Sequence, residues 1–370
     1  MKNFGIYIHI PFCASKCKYC SFISKPACIL EQKKYVDFLL KEIKNKSKIF
    51  NKKICNTIYF GGGTPSLLND GLIKKILKEI KKNYNISNNP EISIECNPCT
   101  INEKKLNNYL SYGINRISFG VQSFSDDELK IIGRRHNSKQ AEDAIILSKK
   151  MGFNNISVDI MIGIPSQTKT SLLKSIKKLL DLGVNHISAY MLMLEEGTPL
   201  FEMVNKKQVK VASDDKCVEM YNAIYKLLKQ NGFERYEISN FAKSVAMCKH
   251  NINYWQMGEY IGFGVSAHSY YNGVRIANSD SFDDYYNDKN IIKEHLTKKM
   301  KIEECIMLGL RQACGVSLNE LKKLGVDLLL DKANEISELK SHNLIDCNDN
   351  YIWVSEENFG VVNAIVLKLI

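Results

Sequence analysis

From Tyr7 to Cys20 the chain reads YIHIPFCASKCKYC. An apolar, β-branched run ends at Pro11, which predicts a buried strand followed at once by a loop. That loop carries Cys13, Cys17 and Cys20 in a C-x3-C-x2-C spacing. Three thiolates on one short loop can bind three irons of a cubane [4Fe–4S] cluster and leave the fourth iron open to a small molecule.

Zinc is the alternative metal for this loop, with His9 as a fourth ligand. The spacing disfavours zinc, because structural zinc sites use shorter, paired motifs. Buried thiols without a metal are also disfavoured, since Lys16 and Lys18 interleave the cysteines. We therefore predict an iron–sulfur cluster on the three cysteines.

Beyond this loop, short β-branched or aromatic runs alternate with Lys-rich amphipathic segments, for example 71–82 and 172–182. Such alternation is typical of parallel βα units with right-handed crossovers. Six units predict either a partial (βα)6 barrel of the TIM type or a doubly wound open sheet. The predicted strands are Gly5–Ile10, Thr57–Phe60, Glu91–Glu95, Arg116–Phe119, Ile156–Ile162 and His186–Leu192.

Polar residues and glycines mark the C-terminal ends of these strands, and this favours the barrel. The run Gly61–Thr64 follows the second strand, and Glu95 ends the third. Gln122 follows the fourth strand, and Asp159 lies in the fifth. The C-terminal rim is where βα barrels assemble their chemistry. We expect an α/β partial barrel with its functional site at this rim.

After about Gly197 the pattern loosens, and a helix is predicted over 214–230. From about Lys298 the segments predict a small, mainly helical, winged-helix-like domain that ends in a hairpin over 344–354. Its helix 328–341 mixes acidic residues with lysines, so we predict a lid or packing role and no nucleic-acid binding. The predicted domains are 1–235 for the barrel, 236–297 for a connecting region and 298–370 for the C-terminal domain.

The 370 residues include 51 Lys+Arg and 40 Asp+Glu, for a net charge of +11. The lysines are spread in short runs, which predicts a solvated surface; anionic lipid, nucleic acid or an acidic partner is the alternative. No signal segment or apolar stretch of roughly 18 residues is evident. Twelve cysteines in such a chain indicate a reducing cytoplasm.

The stretch from Tyr7 to Cys20 resembles the signature of the radical S-adenosylmethionine (SAM) enzymes. It is most similar to the branch that holds oxygen-independent coproporphyrinogen III oxidase and the HemW-type heme chaperones, and the resemblance covers nearly the whole chain. It implies that SAM chelates the open iron through its amino and carboxylate groups. One electron from the reduced cluster could then cleave the sulfonium bond to give a 5′-deoxyadenosyl radical.

The resemblance also implies a SAM pocket. Gly62, Gly63 and Thr64 would face the methionyl amino group, Glu95 the ribose hydroxyls and Arg134 the carboxylate. Taken singly, each residue is typical of a surface or capping position, and only the combination indicates a site. The cofactor-binding residues implied around the cluster are Tyr7, Tyr19, Gly62, Gly63, Thr64, Glu95, Gln122, Arg134 and Asp159.

Two departures separate this chain from the coproporphyrinogen oxidases. Those enzymes carry a further cysteine two positions after the triplet, where this chain has Phe22. They also have an N-terminal extension that helps to hold the porphyrinogen, whereas six residues precede Tyr7 here. Both departures favour the HemW-type chaperones and predict that the decarboxylation activity is absent.

The segment from His250 to Trp255 reads HNINYW and matches the H-N-x-x-Y-W motif that the chaperone subgroup is thought to use for heme. An imidazole is a good axial ligand to heme iron, and aromatic side chains can flank the macrocycle. The alternative is an ordinary packed corner with the Trp in the core. We predict that His250 ligates heme, with His268 as a second candidate nearby.

We therefore predict a cytoplasmic heme chaperone that binds heme, a [4Fe–4S] cluster and SAM. It would pass heme to apo-hemoproteins, in particular respiratory enzymes. The basic charge suits transient contact with the inner face of the membrane, and a homodimer is left open. The alternatives are oxygen-independent coproporphyrinogen III oxidase, a radical SAM enzyme of porphyrin biosynthesis, and a zinc-stabilised barrel that binds other proteins.

Overall fold

The computed structural model describes residues 3–243 and 245–370, which include one large sheet of twelve strands. Six parallel strands form its centre, and helices alternate with them along the chain. The strands are β1 Asn3–Ile10, β2 Ile54–Gly62, β3 Ile86–Cys96, β4 Arg116–Gln122, β5 Ile156–Ile162 and β6 His186–Met191. The helices are α1 Ile29–Asn45, α2 Asp70–Asn83, α3 Glu103–Tyr112, α4 Asp126–Ile131, α5 Ser138–Lys150, α6 Lys169–Asp181, α7 Pro199–Asn205 and α8 Asp214–Gln230.

The strand order decides between the two predicted architectures. Strands β1 to β6 lie side by side in sequence order, each parallel to the next. A doubly wound sheet reverses its strand order near the middle, whereas a barrel does not. The predicted partial (βα)6 barrel is therefore confirmed.

Side-chain alternation along the strands explains why this sheet curls around a polar interior. In β1, Ile6, Ile8 and Ile10 are fully buried in the hydrophobic core, whereas Tyr7 and His9 line a cavity. Successive side chains of a strand point to opposite faces, so the isoleucines contact the helices and the polar residues face inward. The rim residues thus come from one face of each strand.

The helices cover the apolar face of the sheet. In α2, the buried residues Leu72, Ile73, Ile76, Leu77 and Ile80 recur at helical spacing. Burial of each such side chain contributes about 1.5–3 kcal/mol relative to exposure. The Asn69 carboxamide caps this helix by accepting a hydrogen bond from the backbone N–H of Gly71 at 3.0 Å.

Both edges of the central sheet are extended by short strands from the region after residue 233. One hairpin joins β6, and a second group of strands joins β1 through β9, which is parallel to it. The domain boundaries proposed from the sequence stay predictions. These elements are β7 Glu234–Glu237, β8 Asn240–Ala242, α9 Lys249–Trp255, β9 Tyr260–Phe263, β10 His268–Tyr271, β11 Val274–Ala277, α10 Phe282–Tyr286 and β12 Ile292–His295.

The C-terminal residues form a mainly helical, winged-helix-like unit with a small antiparallel sheet of order β13-β15-β14. In the part of the chain that the structure describes, no helix is long and apolar enough to cross a membrane. The elements are α11 Lys298–Leu310, β13 Val316–Ser317, α12 Leu318–Lys323, α13 Leu328–Asp331, α14 Ala333–Ser341, β14 Ile345–Cys347, β15 Tyr351–Val354 and α15 Val362–Leu369.

Three details of this unit differ from the sequence prediction. The helix predicted over 328–341 is two helices, because the backbone at Lys332 leaves the helical region with ψ 31°. No Gly or Pro marks this break. The predicted hairpin gains β13 as a third strand, and α15 follows it. A strand of two residues is too short to show a periodic pattern.

Candidate functional site

The loop after β1 brings the three motif cysteines together at the rim of the barrel. Cys13, Cys17 and Cys20 are each half-buried. Backbone hydrogen bonds fix the loop: the N–H of Cys13 donates to the carbonyl of Lys25 at 3.1 Å, and that of Lys18 to Ile132 at 3.0 Å. Burial raises the pKa of the Cys20 thiol, and the nearby charges of Cys17 and Cys13 act in the same direction.

The glycines at the end of β2 pack directly against this loop. A Cβ on Gly63 would lie 3.1 Å from the Sγ of Cys13 and 2.9 Å from the carbonyl oxygen of Phe12. The hydroxyl of Thr64 lies 3.4 Å from the same Sγ. The backbone of Gly62 has φ +112°, a conformation that residues with a side chain rarely adopt. Any other residue at these two positions would push the strand end away from the thiols.

Arg134 lies on the other side of the loop. Its Nη1 donates to the Sγ of Cys17 at 3.4 Å, and its Nη2 donates to the carbonyl of Gly120. Burial alone would lower the pKa of this guanidinium, but Tyr19 and Cys17 hold it above its ordinary value. Its buried Nε has no hydrogen-bond partner among the described residues. An orphaned, buried cationic donor beside thiols fits an anionic ligand group.

Two carboxyl groups face each other across the barrel interior. The carboxylate of Glu95 accepts hydrogen bonds from the hydroxyl of Tyr59 at 2.9 Å and from the N–H of Gly62 at 3.3 Å. Burial, together with the charge of Asp159, raises the pKa of Glu95 to about 7. The pKa of Asp159 is raised by burial too, although Ser118 donates to it at 3.2 Å.

The end of β4 is irregular at the rim. Gln122 has φ +74°, and the pairing of β4 with β5 shifts register between Gly120 and Gln122. A Cβ on Gly120 would lie 3.3 Å from both Gln122 Nε2 and Arg134 Nη2. A non-glycine residue with positive φ stores strain of about 1–3 kcal/mol, and such residues concentrate at ligand sites.

A cavity of about 600 Å³ opens beside the rim. Its walls come from the barrel, from the segment after α9 and from the C-terminal helix α11. Aromatic and charged side chains surround the cavity. One of them is Tyr7 of β1, which is among the residues predicted to bind the cofactor. The lining residues are Tyr7, His9, Phe22, Gly62, Glu95, Tyr254, Met257, Gly258, Tyr260, Ser266, His268, Tyr270, Arg275, Glu304 and Leu308.

His250 lies away from the rim, near the other end of the barrel. It is 1% exposed. Its Nδ1 lies 2.8 Å from the Thr57 hydroxyl, and its Nε2 lies 2.8 Å from the Tyr254 hydroxyl. Thr57 precedes Gly62 by five residues, or about 16 Å along a strand. Burial and the charge of Arg116 lower the pKa of His250 to about 3.

The predicted cluster and SAM residues thus lie at or near this rim, whereas His250 lies deeper in the barrel. Its ring stacks on that of Tyr59 with centroids 5.1 Å apart, and Tyr59 in turn donates to Glu95. Tyr254 stands between His250 and the cavity, since it contacts the imidazole and lines the cavity wall. Arg275 and Glu304 were not predicted from the sequence as site residues, because they lie in β11 and α11 and no local motif connects them. The alternation of polar residues in β2 could have revealed Tyr59.

The cysteine loop fits an iron–sulfur cluster. Within residues 3–243 and 245–370, no three His, Cys, Asp or Glu side chains are placed to hold one metal ion. A cubane does not require this, because each thiolate binds a different iron. The loop offers three thiols, the Gly63 backbone leaves space beside them, and Arg134 presents an unused donor.

Comparison with known proteins places these features in a family. The sequence profile of the Radical SAM superfamily matches residues 7–179. The heme chaperone HemW of Buchnera aphidicola subsp. Schizaphis graminum is 40% identical, over 82% of this chain and 81% of that protein. HemW of Lactococcus lactis subsp. lactis is 32% identical, over 98% and 96%. The solved structure of coproporphyrinogen III oxidase (HemN) from Escherichia coli has a TM-score of 0.86 at 20% identity, over 100% of this chain and 90% of that one, which shows a shared fold.

The partial barrel, the cysteine loop at its rim and the profile match define a radical SAM protein, with a [4Fe–4S] cluster and SAM as its cofactors. Within that class, the chain belongs to the HemW family of heme chaperones, because relatives above 30% identity align with most of its length. The sequence predictions of the superfamily and of the subgroup are confirmed. Membership favours iron–sulfur over the zinc alternative.

Proposed function

We propose that this chain is a heme chaperone, which binds heme together with a [4Fe–4S] cluster and SAM and transfers the heme to apo-hemoproteins. The observation that carries this proposal is the relationship to HemW proteins over nearly the whole chain, C-terminal unit included. The fold shared with HemN does not argue for decarboxylation, since one fold hosts many activities.

Residues at the rim would hold the cluster and SAM. Cys13, Cys17 and Cys20 would bind three irons, and Arg134 would meet the carboxylate of SAM. When bound, the cluster can supply one electron for cleavage of the SAM sulfonium bond. The carboxylate of Glu95 accepts a hydrogen bond from the N–H of Gly62 and would also accept one from a ribose hydroxyl of SAM.

A second part of the proposal concerns the proteins that receive the heme. We infer that they are respiratory hemoproteins and that the protein works in the cytoplasm at the inner face of the membrane. The net charge of +11 supports a weak, salt-dependent contact with anionic lipid. Co-sedimentation with anionic vesicles at low salt, lost at high salt and absent with neutral vesicles, is the expected result. Light scattering of the same preparation tests the homodimer.

Anaerobic heme transfer tests the central proposal. Reconstituted protein loaded with heme is mixed with an apo-hemoprotein of the respiratory chain, and acquisition of its holo spectrum is followed. We expect transfer by the wild type and a loss of at least tenfold in rate when Cys13, Cys17 and Cys20 are all changed to Ala. The matched control is Cys99→Ala, an exposed cysteine outside the motif.

The same preparations separate the chaperone from the oxidase. Coproporphyrinogen III is incubated with the reconstituted protein, SAM and a reductant without oxygen. Formation of protoporphyrinogen IX at the rate of a true oxidase would overturn the proposal. Failure of the wild type to bind or release heme would also overturn it.

A further inference from the structure

Two histidines, His9 and His268, line the cavity, and a third, His250, lies behind its wall. Heme iron needs an imidazole nitrogen with a free lone pair. Both nitrogens of His9 have partners: Nδ1 lies 3.0 Å from the Tyr7 hydroxyl and Nε2 lies 3.4 Å from the carbonyl of Ile23. Both nitrogens of His250 are also engaged, and its ring lies behind Tyr254. Neither is available without breaking an internal hydrogen bond.

His268 is different. Its side chain is exposed and lines the cavity. Among residues 3–243 and 245–370, its ring makes no hydrogen bond or ion pair. Its neighbours in the cavity wall include His9, whose pKa is lowered to about 4 by burial and, to a smaller extent, by His268 itself. Of the three rings, His268 alone presents an unengaged nitrogen to the cavity.

The backbone holds His268 on a rigid element. It begins β10, where it pairs with Ala277 of β11. The N–H of Ala267 donates to the carbonyl of Gly264 at 3.2 Å, which closes the turn before the strand. A Cβ on Gly262 would lie 2.1 Å from the carbonyl oxygen of His268, so only glycine allows β9 to approach this closely. A ligand on a short, hydrogen-bonded strand is already positioned before it binds metal.

One part of the cavity wall is aromatic and aliphatic and suits a flat macrocycle. The cavity volume of about 600 Å³ is within the ~300–1,000 Å³ typical of cofactor sites. Tyr254 and Tyr260 meet edge to face, with ring centroids 4.5 Å apart at 83°, and form one corner. Tyr270 and Leu308 line the same cavity. Aromatic and aliphatic walls of this kind contribute through buried area and ring contacts.

We propose that an iron porphyrin occupies the part of this cavity lined by Tyr254, Tyr260, Tyr270 and Leu308, with the imidazole of His268 as an axial ligand to the iron and with the residues assigned to SAM left free. This inference rests on the proposed function and moves the iron ligand from the predicted His250 to β10. His250 then acts as a positioning residue, because it holds the Tyr254 hydroxyl in the cavity wall.

Spectroscopic titration with heme and with metal-free protoporphyrin IX tests this assignment. The variants are His268→Ala, His250→Ala and, as a matched control, His295→Ala, an exposed histidine of β12 outside the cavity. We expect His268→Ala to shift the Soret band and weaken heme binding by about tenfold or more. Its affinity for metal-free protoporphyrin should stay within twofold of the wild type, and added imidazole should restore the wild-type spectrum.

The outcomes separate this inference from the proposed function. If the wild type and His295→Ala bind heme but His268→Ala keeps the same spectrum and affinity, the inference is wrong and the chaperone proposal stands. Equal loss of heme and of metal-free porphyrin by His268→Ala would also contradict ligation of iron. If the wild type binds no heme, the proposed function itself fails. Because His268 is exposed, its variant is expected to fold, and circular dichroism checks this.

Discussion

At the scale of single residues, the rim depends on close approach between glycine backbone and neighbouring side chains. Gly62 is the clearest case, because its φ of +112° and its contacts both exclude a side chain. A Cβ there would lie 2.6 Å from the ring of His9, whose nitrogens are both engaged. The imidazole therefore cannot move aside without losing hydrogen bonds.

Gly62→Ala should destabilise the protein more than Gly152→Ala does. Gly152 has a similar φ of +105°, but a Cβ there meets nothing within 4 Å. The difference between the two variants isolates the contact with His9, and we expect it to be about 1–3 kcal/mol in the free energy of unfolding. Chemical denaturation measures it. Equal losses would mean that the backbone conformation alone matters.

Glu95 gives a pH-dependent prediction. Its pKa of about 7 in the folded protein exceeds its ordinary value of 4.5, so folding favours the protonated form. The stability that this preference contributes is complete below pH 4.5 and is lost as the pH rises through 7. Glu95→Gln should therefore stabilise the protein at pH 8, by up to roughly 3 kcal/mol in the free energy of unfolding, and raise its melting temperature. At pH 5 the substitution should change the stability little.

Thermal denaturation without added SAM measures this effect. Glu103→Gln, on an exposed helix start, is the control and should show no such pH dependence. An equal shift of the melting temperature at both pH values would contradict a charge effect at Glu95.

At the scale of elements, α9 is held by an acidic side chain from a strand far away in the sequence. The carboxylate of Glu91 accepts the N–H of Lys249 and of His250, each at 3.1 Å. The helix has seven residues, too few to be stable alone, so this anchor and the bond from Thr57 fix it. Tyr254 is thereby held at the cavity.

Glu91→Gln should loosen α9. The amide keeps one acceptor oxygen, so one of two buried N–H groups loses its partner, at a cost of about 1–3 kcal/mol. Hydrogen exchange of the amides in 249–255 should become faster, whereas that of β5 should not change. Lys249→Ala, with an exposed side chain on the same helix, is the control. Unchanged exchange in Glu91→Gln would show that the helix is held by packing.

At the scale of the whole molecule, the C-terminal unit completes the cavity wall, because Glu304 and Leu308 of α11 line it beside residues of the barrel and of the strands that extend it. Arg275 of β11 makes ion pairs with Glu294 at 2.9 Å and with Glu304 of α11 at 2.5 Å. The side chain of Gln312 donates to the backbone carbonyl of Trp255 at 3.1 Å. The cysteine loop, in contrast, is built from barrel residues alone. Cluster binding and heme binding should therefore be separable by mutation.

Leu308→Glu should weaken heme binding by about tenfold or more, because it replaces an apolar side chain of the cavity wall with a carboxylate. The iron and sulfide content and the iron–sulfur absorption band should match the wild type. Lys299→Glu, an exposed change on the same helix, is the control. Loss of the cluster in Leu308→Glu would show that the two sites depend on one another.

Much of this protein was predictable from local patterns. The cysteine spacing, the six strands with their glycine and polar rim, and the order of the helices follow from short stretches whose periodicity reflects burial. The helix 214–230 is observed with the predicted bounds. Lys332, β13 and α15 were not predicted, because neither breaking residues nor a long enough periodic run marks them.

The sequence by itself determined the cluster loop, the superfamily and the barrel, since these depend on residues close together along the chain. Only the tertiary structure decided which side chains face the cavity. His250 meets Thr57 across 193 positions, and Arg275 meets Glu304 across 29 positions that include α10 and β12. Such contacts arise from packing of distant segments. A sequence motif can identify a histidine as a possible iron ligand. Whether its ring nitrogens are free to bind iron depends on the side chains that the fold places beside them.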